Sequence, residues 1–448
     1  MTGKERIYRT LSGRSVDTLP WVPFAGVHAG KLCAYNATEV LQNADKLYES
    51  LMKVHEVYLP DGQPVIFDLQ LEAEILGCDL MWADNSPPSV ISHPLAKDFT
   101  ISTQMPTEND GRLPIVLDVM HRMKVSVGDS TALYGLITGP LTLATHLRGS
   151  ELFMDTFNEE DKVQELIAYC TEVAKKMADM YISAGMDVIA VVDPVISQIS
   201  PEMFVQFLHA PLTDLFAYIK KNSAFSSLFV CGDATKNMDV MCHTQPDMIS
   251  IDENIDMVAA KKITDAHKIV IGGNIPLTTV MLLGNQQDNV KFIVDFMTKV
   301  DHEHLIISPG CDMPYDTPVE NTVGIMDALR NPDSYKKMLE NYTKEELDIN
   351  IELPNYENLP KPLIEVFTVD SASCAACGYL KQSATRLYDT FDDKIEVIEY
   401  KITEIENVAR VKKLGVKNLP SIYVNGELYV SSMIPNHQEF IAYIKTLV

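Results

Sequence analysis

Two pairs of cysteines stand where thiol chemistry is expected. Cys374 and Cys377 form a CxxC motif between a predicted strand and a predicted helix. The N-terminus of a helix stabilises a thiolate and lowers the pKa of a cysteine placed there. This pair therefore predicts dithiol redox chemistry. The alternative, half of a zinc clip, requires a second CxxC motif, which the sequence lacks.

Cys231 and Cys311 lie at the carboxyl ends of two predicted strands that are far apart in the chain. In a parallel barrel such ends gather at one mouth, where the two sulfurs would face each other. Zinc prefers thiolates that converge with a carboxylate or an imidazole, and a catalytic zinc keeps one position open. A substrate thiol bound there would become a nucleophile. The alternative is that both cysteines are small, buried apolar residues.

Other polar side chains occupy the carboxyl ends of the remaining predicted strands. They are His28, Asp68, Asp193, Asp252 with its neighbour Glu253, and Asn274. Because the catalytic residues of a barrel come from these ends, all of them are candidates for the site. Asp193 and Asp252 have an alternative role, which is to cap the helices that follow them.

The elements that must position these residues are predicted to form a barrel. Between residues 18 and 311, short apolar runs alternate with longer amphipathic ones such as 162–183, which is the pattern of βαβ units. Eight strands are predicted, at residues 21–28, 65–69, 132–138, 188–193, 228–232, 248–252, 269–273 and 305–308. This order predicts an α/β fold, a (β/α)₈ TIM barrel closed by its last strand. A doubly wound open sheet is the alternative, but it lacks the support of a glycine-rich dinucleotide fingerprint.

A second, smaller domain is predicted after the barrel. Residues 343–361 are acidic and rich in proline and asparagine, as is typical of a linker, and they separate a domain at 1–342 from one at 362–448. In the smaller domain, strands are predicted at 363–369, 395–401, 421–424 and 427–430, and helices at 375–389, 404–414 and 438–447. The dipeptide Asn425-Gly426 predicts the turn of a hairpin.

Composition narrows the choice of partners. The 448 residues carry a net charge of −25, with a pI near 4.8. Such an acidic surface repels phosphate backbones, so no nucleic-acid partner is expected. Every apolar run is too short for a bilayer, and the first residues lack the apolar core of a secretory signal. We therefore expect a cytoplasmic protein without a membrane partner.

A series of short motifs along residues 1–340 resembles the uroporphyrinogen decarboxylase superfamily. They are Glu5-Arg6 with Asp17 and Pro20, Val65-Ile-Phe-Asp68, Gly135-Leu-Ile-Thr-Gly-Pro140, Asp193-Pro194, Val230-Cys231-Gly232, Ser250-Ile-Asp252-Glu253, Gly272-Gly-Asn274 and Ser308-Pro-Gly310-Cys311. True decarboxylases of this superfamily carry an arginine-rich segment on the first strand, which grips substrate carboxylates. Residues 23–30 contain no arginine. The decarboxylation of uroporphyrinogen is therefore disfavoured.

The methylcobalamin:thiol methyltransferase branch is the better match, because its zinc motif is His-x-Cys on strand five with a later cysteine. Cys231 and Cys311 match the two cysteines, whereas Phe229 stands in place of the histidine. Glu253 or His28 would then complete the zinc site. The resemblance implies an enzyme that moves a methyl group from a methyl-corrinoid, held on a separate carrier protein, to a small thiol.

The resemblance also assigns roles to the other residues at the strand ends. Asp193 and Asp252 would orient the acceptor thiol or the polar edge of the corrinoid as catalytic residues, and Asp68 and Asn274 would bind the corrinoid. Two rival functions remain open. One is a metal-free, decarboxylase-like enzyme acting on a modified tetrapyrrole. The other is a redox-responsive protein that binds a corrinoid or a partner without catalysis.

The last 87 residues or so resemble the thioredoxin superfamily, closer to its glutaredoxin-like members. Besides the CxxC motif, Leu419-Pro420 stands where that superfamily has a cis-proline facing the disulfide. No tryptophan precedes Cys374. Three roles are open for this domain: to keep Cys231 and Cys311 reduced, to reduce a small disulfide to the substrate thiol, or to offer Cys374 as the methyl acceptor. The last ranks lowest, because a methylated Cys374 would need resetting at each turnover.

Overall fold

The structure is a computed structural model that describes residues 1–340, 342, 343, 349, 351–371 and 375–448. The strands, in chain order, are β1 (Gly62–Pro64), β2 (Leu80–Met81), β3 (Ser89–Val90), β4 (Ala132–Thr138), β5 (Val188–Val192), β6 (Phe225–Val230), β7 (Met248–Ile251), β8 (Val270–Ile275), β9 (Leu305–Pro309), β10 (Leu363–Thr368), β11 (Glu396–Lys401), β12 (Ser421–Val424) and β13 (Glu427–Ser431). Seven of them form one parallel sheet in the order β1-β4-β5-β6-β7-β8-β9, while β2 and β3 make a small antiparallel pair. This curled parallel sheet confirms the predicted barrel fold.

The barrel closes through Trp21. In this region two of the predicted strands differ from the structure. Trp21 makes a parallel bridge with Ile307 of β9, and its carbonyl oxygen accepts from the backbone N–H groups of Asp61 and Gly62 beside β1. Pro23 has no N–H to continue a ladder, so the strand predicted at 21–28 reduces to this bridge. The strand predicted at 65–69 is also wrong, because the pairing with β4 falls three residues earlier, from Gly62 opposite Ala132.

Helices surround the sheet. They are Gly3–Leu11, His28–Lys31, Ala37–Leu41, Ala44–Tyr58, Leu71–Ile75, Leu113–Val127, Pro140–Arg148, Leu152–Asn158, Glu160–Ser183, Pro201–Phe207, His209–Lys221, Met238–Cys242, Met257–Ala266, Gln286–Lys299, Val319–Arg330, Pro332–Met338, Ala375–Thr385, Tyr388–Phe391, Ile405–Leu414 and His437–Ile444, with shorter turns at Gly149–Glu151, Pro194–Gln198, Thr235–Asn237, Leu277–Leu282 and Asp392–Lys394. None of the helices in the described residues has both the length and the apolar character needed to cross a bilayer.

The base of the barrel is tied together by Asp61, which precedes β1. Its carboxylate accepts from the backbone N–H of Trp21 at 2.8 Å and pairs with Arg6 at 2.8 Å and Arg330 at 2.7 Å. Arg6 also pairs with Asp17. Two of the motif residues, Arg6 and Asp17, therefore fasten the N-terminal helix to the base, at the end of the barrel opposite the carboxyl ends of the strands.

The C-terminal residues form a separate four-stranded sheet in the order β11-β10-β12-β13. Strand β10 pairs in parallel with β11 and antiparallel with β12, and β12 forms the predicted hairpin with β13. Asn425 and Gly426 have φ values of 50° and 81°, the left-handed conformations that a tight hairpin turn needs. A small sheet and helix domain is thus confirmed, whereas the domain boundaries at 342 and 362 stay a prediction.

Candidate functional site

A cavity of about 410 Å³ lies between the carboxyl ends of the barrel strands and the C-terminal domain. From the barrel it is lined by residues that follow β6, β7 and β9, among them Cys231, Glu253 and Cys311. From the C-terminal domain it is lined by residues that include Cys377 and Pro420. The candidate residues at the strand ends and Cys377 of the predicted redox motif therefore meet in one space.

Cys231 and Cys311 come together at this mouth. They follow β6 and β9, which two other strands separate in the sheet, yet their Cα atoms are 5.8 Å apart and their sulfurs form a disulfide. Cys231 is buried and Cys311 is half-buried. The convergence expected from their positions at two strand ends is thus present in the structure.

Three carboxylic acids adjoin the two cysteines in the cavity: Asp252, Glu253 and Asp312. Burial raises the pKa of each one, and the neighbouring charge of Asp252 raises that of Glu253 further. Glu253 accepts from the backbone N–H of Leu277, while Asp252 accepts from Asn254. No lysine, arginine or histidine lines the cavity among the described residues. The raised pKa values favour the neutral, protonated form of these acids, because no cation among the described lining residues balances their charge.

By donor type alone, these groups suit a divalent metal ion with a preference for soft ligands. The reduced sulfurs of Cys231 and Cys311 with the carboxylate of Glu253 make the kind of mixed sulfur and oxygen ligand set that zinc accepts. Asp312 Oδ1 is buried and makes no hydrogen bond, although burying an unpaired carboxylate oxygen is costly. A bound cation would favour the ionised form of these acids and offset the cost of burying it.

His28, the other candidate ligand, is fully buried and its two ring nitrogens are both engaged. The carbonyl oxygen of Tyr315 lies 2.9 Å from Nδ1 and can only accept, so Nδ1 carries the proton. Nε2 then accepts from the hydroxyl of Tyr58 at 2.6 Å. Burial lowers the pKa of His28 to about 4, which keeps the ring neutral. No lone pair is left for a metal, because Nδ1 donates to Tyr315 and Nε2 accepts from Tyr58. The strand predicted here is instead the start of the helix His28–Lys31.

Asp68 and Asn274 lie behind the cavity and stabilise its walls. The Asp68 carboxylate pairs with Arg112 at 2.5 Å and accepts from the backbone N–H of Gln70. The Asn274 amide donates to the carbonyl oxygens of Asp252 and Ile255 at 2.9 and 2.8 Å. Asn274 thus holds the loop that presents Asp252 and Glu253.

Asp193 caps a helix, though not the one expected. Its carboxylate accepts from the backbone N–H groups of Leu141 and Thr142, at 3.0 and 2.9 Å, and from the Thr142 hydroxyl at 2.6 Å. These donors open the helix Pro140–Arg148, which belongs to the preceding β/α unit. A Cβ on Gly139 would lie only 2.3 Å from the Cβ of Asp193, so glycine is needed for this close approach.

On the C-terminal side, Cys377 is buried where the helix Ala375–Thr385 begins, and Cys374 lies outside the described residues. The Leu419–Pro420 peptide is cis, as expected from the resemblance to thioredoxins, and Pro420 lines the cavity together with Cys377.

Comparison with known proteins identifies the barrel. The family model described as uroporphyrinogen decarboxylase (URO-D) matches residues 2–332, most of the chain. The chain belongs to the uroporphyrinogen decarboxylase family. A solved structure of this fold, a methyltransferase from Methanosarcina mazei, superposes with a TM-score of 0.69 over 74% of this chain and 99% of that one, at 23% identity.

Family members of two kinds are similar in sequence. The methylcobamide:CoM methyltransferase of Methanosarcina acetivorans is 27% identical over 74% of this chain and 98% of its own length. The corresponding methyltransferase of Methanosarcina barkeri is 25% identical over 73% of this chain and 97% of its own length. A uroporphyrinogen decarboxylase of Prochlorococcus marinus is 24% identical over 65% and 84%. The methyltransferases thus align over nearly their whole length.

Sequence reasoning about the family site missed two features. Asp312 was available to the same logic as Cys311, because it is the next residue after Cys311 and lies three residues beyond the end of β9. The second feature is a surface group of Asp239, His243 and His267, whose potential ligand atoms lie within 4.8 Å of one another. His267 precedes β8, so this group lies near the base of the barrel and takes no part in the cavity.

Proposed function

We propose that this protein transfers a methyl group from a methyl-corrinoid, presented by a separate carrier protein, to a thiol activated by zinc at the barrel mouth. The observation that carries the proposal is the meeting of Cys231 and Cys311 beside three carboxylic acids, of which Asp252 is buried and Glu253 and Asp312 are half-buried. The similarity to proteins named methylcobamide:CoM methyltransferases supports the same reaction type.

In this proposal Cys231, Cys311 and Glu253 would hold the metal in the cavity that admits the acceptor thiol. Bound zinc supplies a Lewis acid that lowers the pKa of that thiol. The chain contributes position: Asn274 fixes the loop of Asp252 and Glu253, and the walls of the cavity exclude water. His28 is not included in the ligand set, because both of its ring nitrogens are occupied.

The lack of cations in the cavity lining favours this reaction over the decarboxylation of a tetrapyrrole. A polycarboxylate substrate needs cations, and the described residues that line the cavity provide none.

The same lack of cations limits the charge that the acceptor thiol can carry. An anionic thiol such as coenzyme M would find no lysine or arginine among the described lining residues to bind its sulfonate. We therefore propose an acceptor thiol that carries no negative group, in contrast to the substrate named for the relatives.

Metal content is the first test. The protein is reduced, loaded with zinc under anaerobic conditions and compared with Cys231→Ser and Cys311→Ser, with Cys33→Ser as a matched control at a half-buried cysteine remote from the cavity lining. About one zinc per chain is expected in the parent and the control, and less in the two site variants. A parent that binds no zinc contradicts the proposal.

Methyl transfer is then measured with methylcobalamin as donor, comparing neutral thiols with anionic ones. We expect neutral thiols to demethylate the cobalamin in the parent protein. This activity should be lost in Cys231→Ser. A preference for anionic thiols would contradict the proposed class of acceptor but not the zinc site.

A further inference from the structure

The cavity at the barrel mouth contains three cysteines from two different domains. Cys231 and Cys311 come from the barrel, and Cys377 comes from the C-terminal domain. The remaining C-terminal lining consists of Val369, Asp370, Thr403, Leu419 and Pro420. The end of the C-terminal domain that carries its dithiol motif therefore faces the barrel disulfide across a common space.

Contacts beside the motif hold the C-terminal domain in this orientation. Tyr379, two residues after Cys377, is buried among residues of the barrel core, and its hydroxyl is hydrogen-bonded to Nδ1 of His146 at 2.8 Å. At the far end of the same helix region, Arg386 contacts the hydroxyl of Ser150 at 3.0 Å and pairs with Glu151 at 2.7 Å. The helix that begins with the motif is thus fastened to the barrel at two points.

We infer that the C-terminal domain is a disulfide reductase whose substrate is the Cys231–Cys311 disulfide of its own chain. The inference rests on the proposed function in one respect, namely that zinc binds thiolates and not the sulfurs of a disulfide. The sequence leaves three roles open for this domain. The shared cavity supports the one in which it reduces Cys231–Cys311.

The reaction is an internal thiol–disulfide exchange. A thiolate of the motif attacks one sulfur of Cys231–Cys311, which forms a mixed disulfide and releases the other barrel sulfur as a thiolate. The second cysteine of the motif then displaces the remaining barrel thiolate. Two electrons and two protons pass to the barrel pair, and Cys374 and Cys377 become a disulfide, which an external dithiol must reduce.

Trapping the mixed disulfide tests this exchange in the full-length chain. Cys377→Ser removes the second step, so Cys374 should accumulate in a disulfide with Cys231 or Cys311. The protein is oxidised, its remaining thiols are blocked with a maleimide, and disulfide-linked peptides are mapped by mass spectrometry. A linkage between Cys374 and one barrel cysteine is expected, at a yield independent of protein concentration. Cys374→Ser, the matched control, should give no such linkage.

A second variant tests the docked orientation without touching any sulfur. Tyr379→Phe keeps the buried ring and removes the hydrogen bond to His146, so the mixed disulfide should form roughly fivefold more slowly, as for the loss of one hydrogen bond. An intact Cys231–Cys311 disulfide in Cys377→Ser, with no linkage to Cys374, overturns the inference, as does a yield that rises with protein concentration. Because the readout is a peptide linkage, it is independent of zinc binding and of methyl transfer, and either proposal can fail alone.

Discussion

Replacing Asp193 by asparagine should remove a pH dependence from the stability of the barrel. Burial raises the pKa of Asp193 to about 6 in the folded protein, from 3.8, although three hydrogen bonds to its carboxylate act in the opposite direction. The folded chain therefore holds this proton more tightly than the unfolded chain. Its contribution to stability is fully present below about pH 4 and is lost as the pH rises through about 6.

The size of the effect follows from the shift of the pKa. A rise from 3.8 to about 6 corresponds to about 3 kcal/mol, because each pKa unit is worth about 1.4 kcal/mol. Between about pH 4 and about pH 7, roughly 2 kcal/mol of this contribution should disappear from the parent protein. Asparagine does not titrate, so the variant should lack this component while all other groups titrate as before.

Urea unfolding followed by tryptophan fluorescence measures the effect in the appropriate domain, since both tryptophans, Trp21 and Trp82, belong to the barrel. The quantity to compare is the difference in unfolding free energy between parent and variant at the two pH values. A difference that stays constant with pH would show that Asp193 is not a buried, titrating cap, and would return it to the candidates for the site.

Three further predictions concern the contact between Gly139 and Asp193, the acids of the cavity, and the contact between the C-terminal domain and the barrel. Gly139→Ala should destabilise the barrel by about 1–3 kcal/mol in the same urea assay, because its Cβ would collide with Asp193; wild-type stability would contradict the described contact. Asp312→Asn should weaken zinc binding by about tenfold in competition with a chromogenic chelator, and unchanged affinity would remove Asp312 from the site. Arg386→Ala should speed amide hydrogen exchange in the helix Ala375–Thr385, by an amount that reflects the loss of up to about 1 kcal/mol from a partly exposed ion pair. An unchanged exchange rate would mean that Arg386 does not hold the two domains together.

The parts of the barrel that the sequence predicts well are those in which the hydrophobic pattern and the hydrogen-bond ladder coincide. Strand β4 matches its prediction, and β5 and β9 do so within one residue, because these apolar runs are both buried and paired. The ladder of β1 instead falls on Gly62-Gln63-Pro64, residues with little strand propensity. Tertiary pairing with β4 decides that position, and it cannot be read from the local sequence.

The positions of the candidate site residues were likewise predictable only in part. The rule that catalytic groups follow barrel strands leads to Cys231, Cys311, Asp252 and Glu253, which do share the cavity. The same rule cannot say which way a side chain at a strand end turns. Asp193 turns sideways to a neighbouring helix, because unpaired N–H groups there compete for its carboxylate. That competition depends on a contact between residues more than fifty positions apart.

Because the C-terminal domain covers the barrel mouth, it competes with any carrier protein that must approach the same surface. Under the proposed function, a corrinoid on its carrier must approach Cys231 and Cys311 from the side that Thr403 and Pro420 occupy. The predicted linker at 343–361 would give the attached domain an effective concentration on the order of millimolar, which a free carrier protein rarely reaches. Methyl transfer would then be limited by the fraction of time the domain spends undocked, and adding more carrier would relieve this limit only slowly. Under these two proposals, the domain that restores the thiolates would also have to leave before they can be used.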